Sequence, residues 1–122
     1  MPFAVNYDRE AGCVRTSIVG RIDKELVGEF FAEVGRVATE NRCTRILSDL
    51  REARIAAPTL DIFAEVESPE HASIPRNVKR AIVISRDMRD FRFWETLCRN
   101  RGFLHVKIFT DYEKAAEWVL GS

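Results

Sequence analysis

The sequence has neither an excess of one charge nor a long apolar run. Lys plus Arg number 19 and Asp plus Glu number 19 among the 122 residues, so the formal net charge is zero. A dedicated nucleic-acid or membrane-surface binder would carry a basic excess. No apolar run approaches the ~18 residues of a membrane-spanning helix, and the N-terminus lacks the basic start of a signal peptide. The sequence therefore predicts a cytoplasmic protein that binds no nucleic acid and does not span a membrane.

Cysteine and histidine are scarce. The chain has three cysteines, Cys13, Cys43 and Cys98, and two histidines, His71 and His105, with no Cys-x-x-Cys pair. A structural zinc site needs about four clustered ligands, and an odd count of three does not suit a disulfide scaffold. We therefore predict no metal and no cofactor, and a reducing compartment in which the cysteines act as small apolar residues.

Composition favours one folded domain over residues 1–122. Hydrophobic residues make up 46% of the chain and charged residues 31%, which argues against disorder. A chain of this length hides roughly two-thirds of its unfolded surface on folding, enough for one core. No linker, internal repeat or low-complexity tract divides the sequence.

Hydrophobic periodicity alternates between strands and helices. Residues 3–7 and 13–19 alternate apolar and polar side chains and predict an antiparallel hairpin. A helix of about four turns follows, with Asp23 as N-cap and Asn41 as its stop. The next predicted elements are a strand at 45–49, a loop at 50–57, a helix at 58–67 and a strand at 81–84. A helix then runs from about Met88 to a stop at Gly102, and a strand follows at 104–109. The last predicted helix begins with Thr110 and Glu113 as a capping box and ends at Gly121.

This order of elements, ββαβαβαβα, predicts an α/β fold. Strands that alternate with helices form mostly parallel sheets with right-handed crossovers. The run 81–84 is apolar on both faces, as a central parallel strand must be. Strand 104–109 has one polar face and is expected near an edge.

The pattern resembles a known family over nearly the whole chain. The stretches that carry the likeness are Ile46-Leu47-Ser48-Asp49-Leu50-Arg51, Arg80-Ala81-Ile82-Val83-Ile84-Ser85, Phe91-Arg92-Phe93-Trp94 and the closing segment from Val106 to Val119. With them, the chain resembles the STAS domains, and more closely the small bacterial SpoIIAA-like proteins of the STAS/SEC14 group. The resemblance implies a SpoIIAA-like domain whose five-stranded sheet places sequential strands side by side, with the first strand antiparallel. It implies a non-catalytic regulatory module that binds another protein; a carrier of a lipid or other apolar molecule is the alternative.

Thr59 is the candidate phospho-acceptor that the resemblance suggests. In the antagonist branch of the STAS family, the helix after the third strand begins Asp-Ser-Ser-Gly, and the second serine is phosphorylated. Here the sequence reads Ala57-Pro58-Thr59-Leu60, without the Asp and the Gly, and Thr59 falls at that serine. A phosphate at a helix N-terminus would gain from the free amides and the dipole. The alternative is that Thr59 simply caps the helix.

Charged residues supply the candidate binding sites. Asp49 and Arg51 end the predicted third strand, at the edge where open α/β sheets usually place ligands. Arg86, Arg89 and Arg92 recur every three residues and suit a phosphate or an acidic partner surface. The alternative for the arginine run is a solvated helix face laced with ion pairs.

An adjacent aromatic pair and a cysteine–histidine pair are two further candidates for a site. Phe93 and Trp94 are adjacent on a helix and cannot both face the same core, so Trp94 is a candidate partner contact. Cys98 and His105 could suggest a thiol nucleophile with its base, but Cys98 lies on the apolar helix stripe, which predicts burial. We therefore expect no catalytic residue and no enzyme activity.

An uncovered sheet face motivates two partner hypotheses. If most helices cover one face, Val14, Ile18 and the aromatic residues of the first strand are candidates for apolar surface that needs cover on the other. A homodimer would supply that cover, and so would a bound apolar ligand.

Overall fold

Among the described residues, five strands form one mixed sheet in the order β1-β2-β3-β4-β5. The computed structural model describes residues 2–55, 71, 73–86 and 89–121. The strands are β1 (Phe3–Asp8), β2 (Cys13–Ile22), β3 (Arg45–Ile55), β4 (Lys79–Val83) and β5 (Val106–Phe109), and the helices are α1 (Lys24–Glu40), α2 (Arg89–Asn100) and α3 (Tyr112–Leu120). Strand β1 runs antiparallel to β2, and every other neighbouring pair is parallel. The predicted α/β class and sheet arrangement are confirmed. The helix predicted at 58–67 lies outside the described residues.

Helices lie on both faces of the sheet. Helices α1 and α2 cover the larger core, which includes Val14 and Ile18, and α3 packs on the other face over Leu47, Ala81 and Val83. No helix in the described part of the chain is long and apolar enough to cross a membrane.

The expectation that the hairpin strands need outside cover is wrong. Val14 is 0% exposed and Ile18 is 3% exposed, because α1 packs on β1 and β2. The ring of Phe3 meets that of Phe30 edge-on, with centroids 5.6 Å apart. Val14 and Ile18 are therefore covered within the chain, and the aromatic residues of β1, Phe3 and Tyr7, are half-buried.

Local capping explains where the helices begin and end. The carboxylate of Asp23 accepts from the backbone N–H of Leu26 at 2.9 Å, so the predicted N-cap of α1 is confirmed, as is its end at Asn41. Gly102 has a φ of 92°, and the N–H of Phe103 after it bonds back to Cys98, as in a glycine helix stop.

The predicted capping box of the last helix is wrong. Asp111, not Thr110, is the N-cap of α3, and its carboxylate accepts from the N–H of Lys114 at 3.1 Å. A carboxylate at this position gains from the helix dipole as well as from the hydrogen bond.

Strand β3 is longer than its sequence pattern predicts. It runs to Ile55, whereas a loop was expected over 50–57. The pairing of β2 with β3 shifts between Ser17 and Val19, and β3 then continues beside the end of β2. Asp49 and Arg51 consequently lie within a strand, on the face of the sheet, instead of at its end.

Candidate functional site

Part of the sheet face beside α3 is polar and partly exposed. Ile18 and Ile22 of β2 and Ala53 of β3 pack in the larger core, which α1 and α2 cover and which we call the α1 core. The side chains between them therefore point away from that core. We call this surface the open face. Its residues on β2 and β3 are Arg15, Ser17, Val19, Arg21, Asp49, Arg51, Glu52 and Arg54, all half-buried or exposed.

Arg15 joins three elements at one end of the open face. Its Nε donates to Asp8 Oδ2 at 2.9 Å, and its Nη1 donates to the Tyr112 hydroxyl at 2.9 Å. The backbone N–H of Ala11 also donates to Asp8, and this bond, followed by that from Arg15, lowers the pKa of Asp8. Strands β1 and β2 are thereby fixed to the start of α3.

Asp49 and Arg51 form a two-pronged ion pair on β3. Arg51 Nε donates to Asp49 Oδ1 at 2.9 Å, and its Nη2 donates to Oδ2 at 2.8 Å. The Arg51 hydrogen bonds are the main cause that lowers the pKa of Asp49. The Arg51 guanidinium also lies over the Tyr112 ring, 5.0 Å from its centroid. Tyr112 therefore links both ion pairs, and Arg51 is held in place while 47% of its side chain stays exposed.

Two arginines stand side by side at the carboxyl ends of β2 and β3. Arg21 and Arg54 are register partners, and both are exposed. Neither forms an ion pair with another described residue. Like charges directly opposite on neighbouring strands repel each other, so this end of the open face carries a surplus of positive charge.

The arginine run of the third predicted helix is only partly described. Arg86 is exposed after β4, and Arg89 begins α2, with a side chain outside the described part. Arg92 lies 3.9 Å from Glu95, which also holds Arg99 at 3.6 Å. These ion pairs suit the reading of a solvated helix face, and partner binding by the run stays a prediction.

The structure reverses the roles expected of the adjacent aromatic residues. Trp94 is 7% exposed and lies in the α1 core, whereas Phe93 is 48% exposed. Trp94 is therefore wrong as a partner contact in this chain, because its ring is used for packing. Thr59 lies outside the described residues, and its phosphorylation stays a prediction.

All three cysteine thiols are buried. Burial raises the pKa of Cys13 and of Cys98 to about 11, and Cys43 is buried as well. A nucleophilic cysteine needs a lowered pKa and access to solvent. The described residues also contain no group of three His, Cys, Asp or Glu side chains placed to hold a metal ion.

Sequence reasoning missed a buried arginine. Arg80 is 5% exposed and lies on the central strand β4, pointing into the core below α1 and α2. A signal was present, because Arg80 shares strand parity with the buried Ile82 and Ile84. Arg80 was missed because the predicted strand was taken to start at the apolar residue after it, Ala81.

Comparison with known proteins does not assign a family. No family model matches the chain, and no curated protein matches it. The function is therefore inferred from the geometry of the open face.

Proposed function

We propose that this protein is a non-catalytic regulatory module of the STAS type that binds an acidic surface of another protein through its open face. The observation that carries the proposal is the pair of fixed, partly exposed arginines, Arg15 and Arg51, held on Tyr112. The same face carries Arg21 and Arg54, which form no ion pair with another described residue. The sheet order agrees with the one that the STAS resemblance implies, which supports the family part of the proposal.

The side chains of the open face suit protein recognition. Arginine and tyrosine are enriched at the centres of interfaces, where a few residues supply most of the binding energy. Binding usually costs free energy because side chains lose rotamer freedom. Arg15 and Arg51 are already fixed by Asp8, Asp49 and Tyr112, so that cost is reduced.

The charge of the open face argues for an acidic partner. Arg15 and Arg51 have their own carboxylates in Asp8 and Asp49. Arg21 and Arg54 repel each other across the strands, and a carboxylate from outside would relieve that repulsion. An acidic protein surface therefore fits better than a neutral or basic one.

The alternatives have less support on the described residues. The hypothesis of an apolar ligand drew on the family resemblance and on an uncovered sheet face, and α1 covers the Val14 and Ile18 that were expected to lie bare there. An enzyme that uses a thiol would need a low pKa, whereas burial raises that of Cys98 to about 11.

Binding of a short fluorescent polyglutamate peptide, measured by anisotropy at low salt, tests the proposal. The open-face variant is Arg21→Ser/Arg54→Ser. The matched control is Arg36→Ser/Arg99→Ser, which removes the same charge from helix faces. We expect the open-face variant to bind about tenfold more weakly, since two exposed ionic contacts contribute up to ~1 kcal/mol each. The control should bind like the wild type, and added salt should weaken binding.

Equal binding by the two variants would contradict the proposal. Affinity capture with the same three proteins then extends the test to natural partners. The partner should be retained by the wild type and the control and lost with Arg21→Ser/Arg54→Ser.

A further inference from the structure

The two edges of the described sheet differ in how well they are protected. Strand β5 forms one edge, and the N–H of Ile108 on it donates to the Glu95 carboxylate at 2.7 Å. The strand has 4 residues, and one of them is the exposed Lys107. Short length, charge and a covering side chain are means by which proteins keep an edge strand from pairing with another chain. The β5 edge is therefore protected.

Strand β1 forms the other edge and is open to pairing. It has 6 residues and pairs with β2 over its whole length without a register shift. Neither proline nor a charged residue occurs in Phe3–Tyr7, and the charge that follows, on Asp8, is matched by Arg15 of the same chain. An edge strand of this kind is a ready template for a further strand.

The outward-facing backbone groups of β1 belong to Phe3, Val5 and Tyr7. The N–H of Val19 on β2 donates to the Pro2 carbonyl at 2.9 Å. In an antiparallel pair, residues that bond the neighbouring strand alternate with residues that do not. Every second residue from Pro2 onward therefore bonds β2, and the three residues between them turn their N–H and C=O groups outward. No backbone group of another described residue bonds them there.

We propose that β1 is the interface of a homodimer, in which the β1 strands of two copies of this chain pair antiparallel and join their sheets. A twofold axis through the edge makes this arrangement antiparallel and closed. With Val5 on the axis, Phe3 lies opposite Tyr7 of the second copy. All the outward-facing residues then meet outward-facing residues, and each such pair exchanges two N–H···O=C bonds.

The side chains of β1 favour a second copy as the occupant of this edge. Phe3 opposite Tyr7 is a cross-strand aromatic pair, a kind of pair that stabilises antiparallel sheets. Both side chains are half-buried at the margin of the α1 core, so a further strand would cover more of their surface. On the other side of the sheet, Ala4 lies opposite Asn6, and no like charges meet. The contact runs along the strand edge, not over the sheet face that α1 covers, and it is independent of the function proposed above.

Sedimentation velocity of the full chain over a dilution series tests the dimer. The test variant is Val5→Pro, which removes the N–H on the axis from both copies but no bond to β2, a position at which edge strands accept proline. The matched control is Val5→Thr, which keeps that N–H and a similar shape. We expect the wild type and the control to form dimers that dissociate on dilution. Val5→Pro should dissociate at a concentration about tenfold higher or more.

Two results of this experiment would overturn the proposal. One is a monomeric wild type at every concentration up to ~1 mM, which would leave the edge free or reserved for a different protein. The other is a Val5→Pro dimer as tight as that of the wild type, which would place the interface elsewhere.

Disulfide trapping tests the register and remains decisive if Val5→Pro does not fold. Ala4 and Asn6 of the second copy would form a non-hydrogen-bonded pair, with Cα atoms ~4.5 Å apart, which a disulfide can bridge. The native cysteines are buried. A mixture of the Ala4→Cys and Asn6→Cys proteins in oxidised glutathione should therefore yield a disulfide-linked mixed dimer by intact mass.

Each cysteine variant alone is the control for the mixture. Identical positions lie two residues out of register across the axis, beyond the ~7 Å that a disulfide spans, so each variant alone should yield far less linked dimer. No mixed dimer, or as much linked dimer from either variant alone as from the mixture, would overturn the proposed pairing.

Discussion

A hydrogen-bonded pair of buried hydroxyls joins β2 and β3 directly behind the open face. Removing one hydroxyl should destabilise the fold more than half as much as removing both, because a single variant leaves the other hydroxyl buried without a partner. Thr16 Oγ1 donates to Ser48 Oγ at 2.7 Å. The two residues are register partners and are 5% and 6% exposed. They lie on the face of the sheet that carries Val14, Ile18 and Ile46, within an otherwise apolar layer. Their bond therefore helps to fix the strand register that sets Ser17 opposite Asp49 and Arg15 opposite Leu47.

The magnitude follows from what each variant leaves in the core. Thr16→Val keeps the side-chain shape and removes the donor, so the buried Ser48 hydroxyl loses its bond at a cost of about 1–3 kcal/mol. Ser48→Ala leaves the Thr16 hydroxyl without an acceptor at a similar cost. The double variant loses one net hydrogen bond but buries no unpaired hydroxyl, so it should be more stable than the sum of the single effects predicts. We expect a coupling free energy of about 1 kcal/mol or more.

Urea unfolding of the four proteins measures this coupling, with the fluorescence of the two tryptophans, Trp94 and Trp118, as the signal. Thr96→Val is the control, because Thr96 is exposed and donates only to the Arg92 carbonyl. It should change the free energy of unfolding by about 0.5 kcal/mol or less. Additive single effects, with a coupling below about 0.3 kcal/mol, would refute the reasoning.

Three further predictions concern a hydrogen bond to β5, the loss of stability at acid pH, and the cysteine thiols. The Glu95 carboxylate accepts from a backbone N–H of β5 at 2.7 Å, so Glu95→Ala should lower the free energy of unfolding in urea by about 1.5–3 kcal/mol; a loss below about 0.5 kcal/mol would contradict this. Arg51 lowers the pKa of Asp49, so the ionised carboxylate stabilises the fold above its unfolded pKa of ~3.9, and this contribution disappears as the pH falls through the lower folded value. Asp49→Asn should therefore flatten the loss of stability below pH ~4, by well under 1 kcal/mol because solvent screens the pair; parallel pH profiles would count against the assignment. With a pKa of about 11 for Cys13 and Cys98, only about one thiol in a thousand is ionised at pH ~8. Intact mass should show iodoacetamide adducts on these residues only after unfolding in urea, and rapid native labelling would show the burial to be wrong.

Periodicity predicted the order of the elements because each apolar stripe reports a local burial pattern. It failed for the second half of β3, where Leu50 and Ala53 pack on the core three residues apart. The shifted pairing with β2 breaks the two-residue alternation there. A bulge is set by the neighbouring strand, so the sequence of β3 alone does not reveal it.

The candidate site was predictable in part. Asp49 and Arg51 were identified from the sequence because they were expected to end the third strand, at the edge where α/β sheets place ligands, although the structure places them within β3. Tyr112, which links them to Arg15, lies 97 residues from Arg15 in the chain, and no local pattern indicates such a contact. The burial of Trp94 was likewise set by Phe31 and His71 on other parts of the fold.

A net charge of zero turns out to be a weak guide to the partners of this chain. Ions screen exposed charges beyond roughly 8–10 Å, so a binding surface responds to its own charges and not to the whole chain's sum. The fold matches Asp8 with Arg15 and Asp49 with Arg51, yet sets Arg21 beside Arg54. Zero net charge argues against a uniformly basic surface, as nucleic-acid binding requires. It does not argue against a small acidic surface that meets only the open face, and that distinction is what the polyglutamate experiment measures.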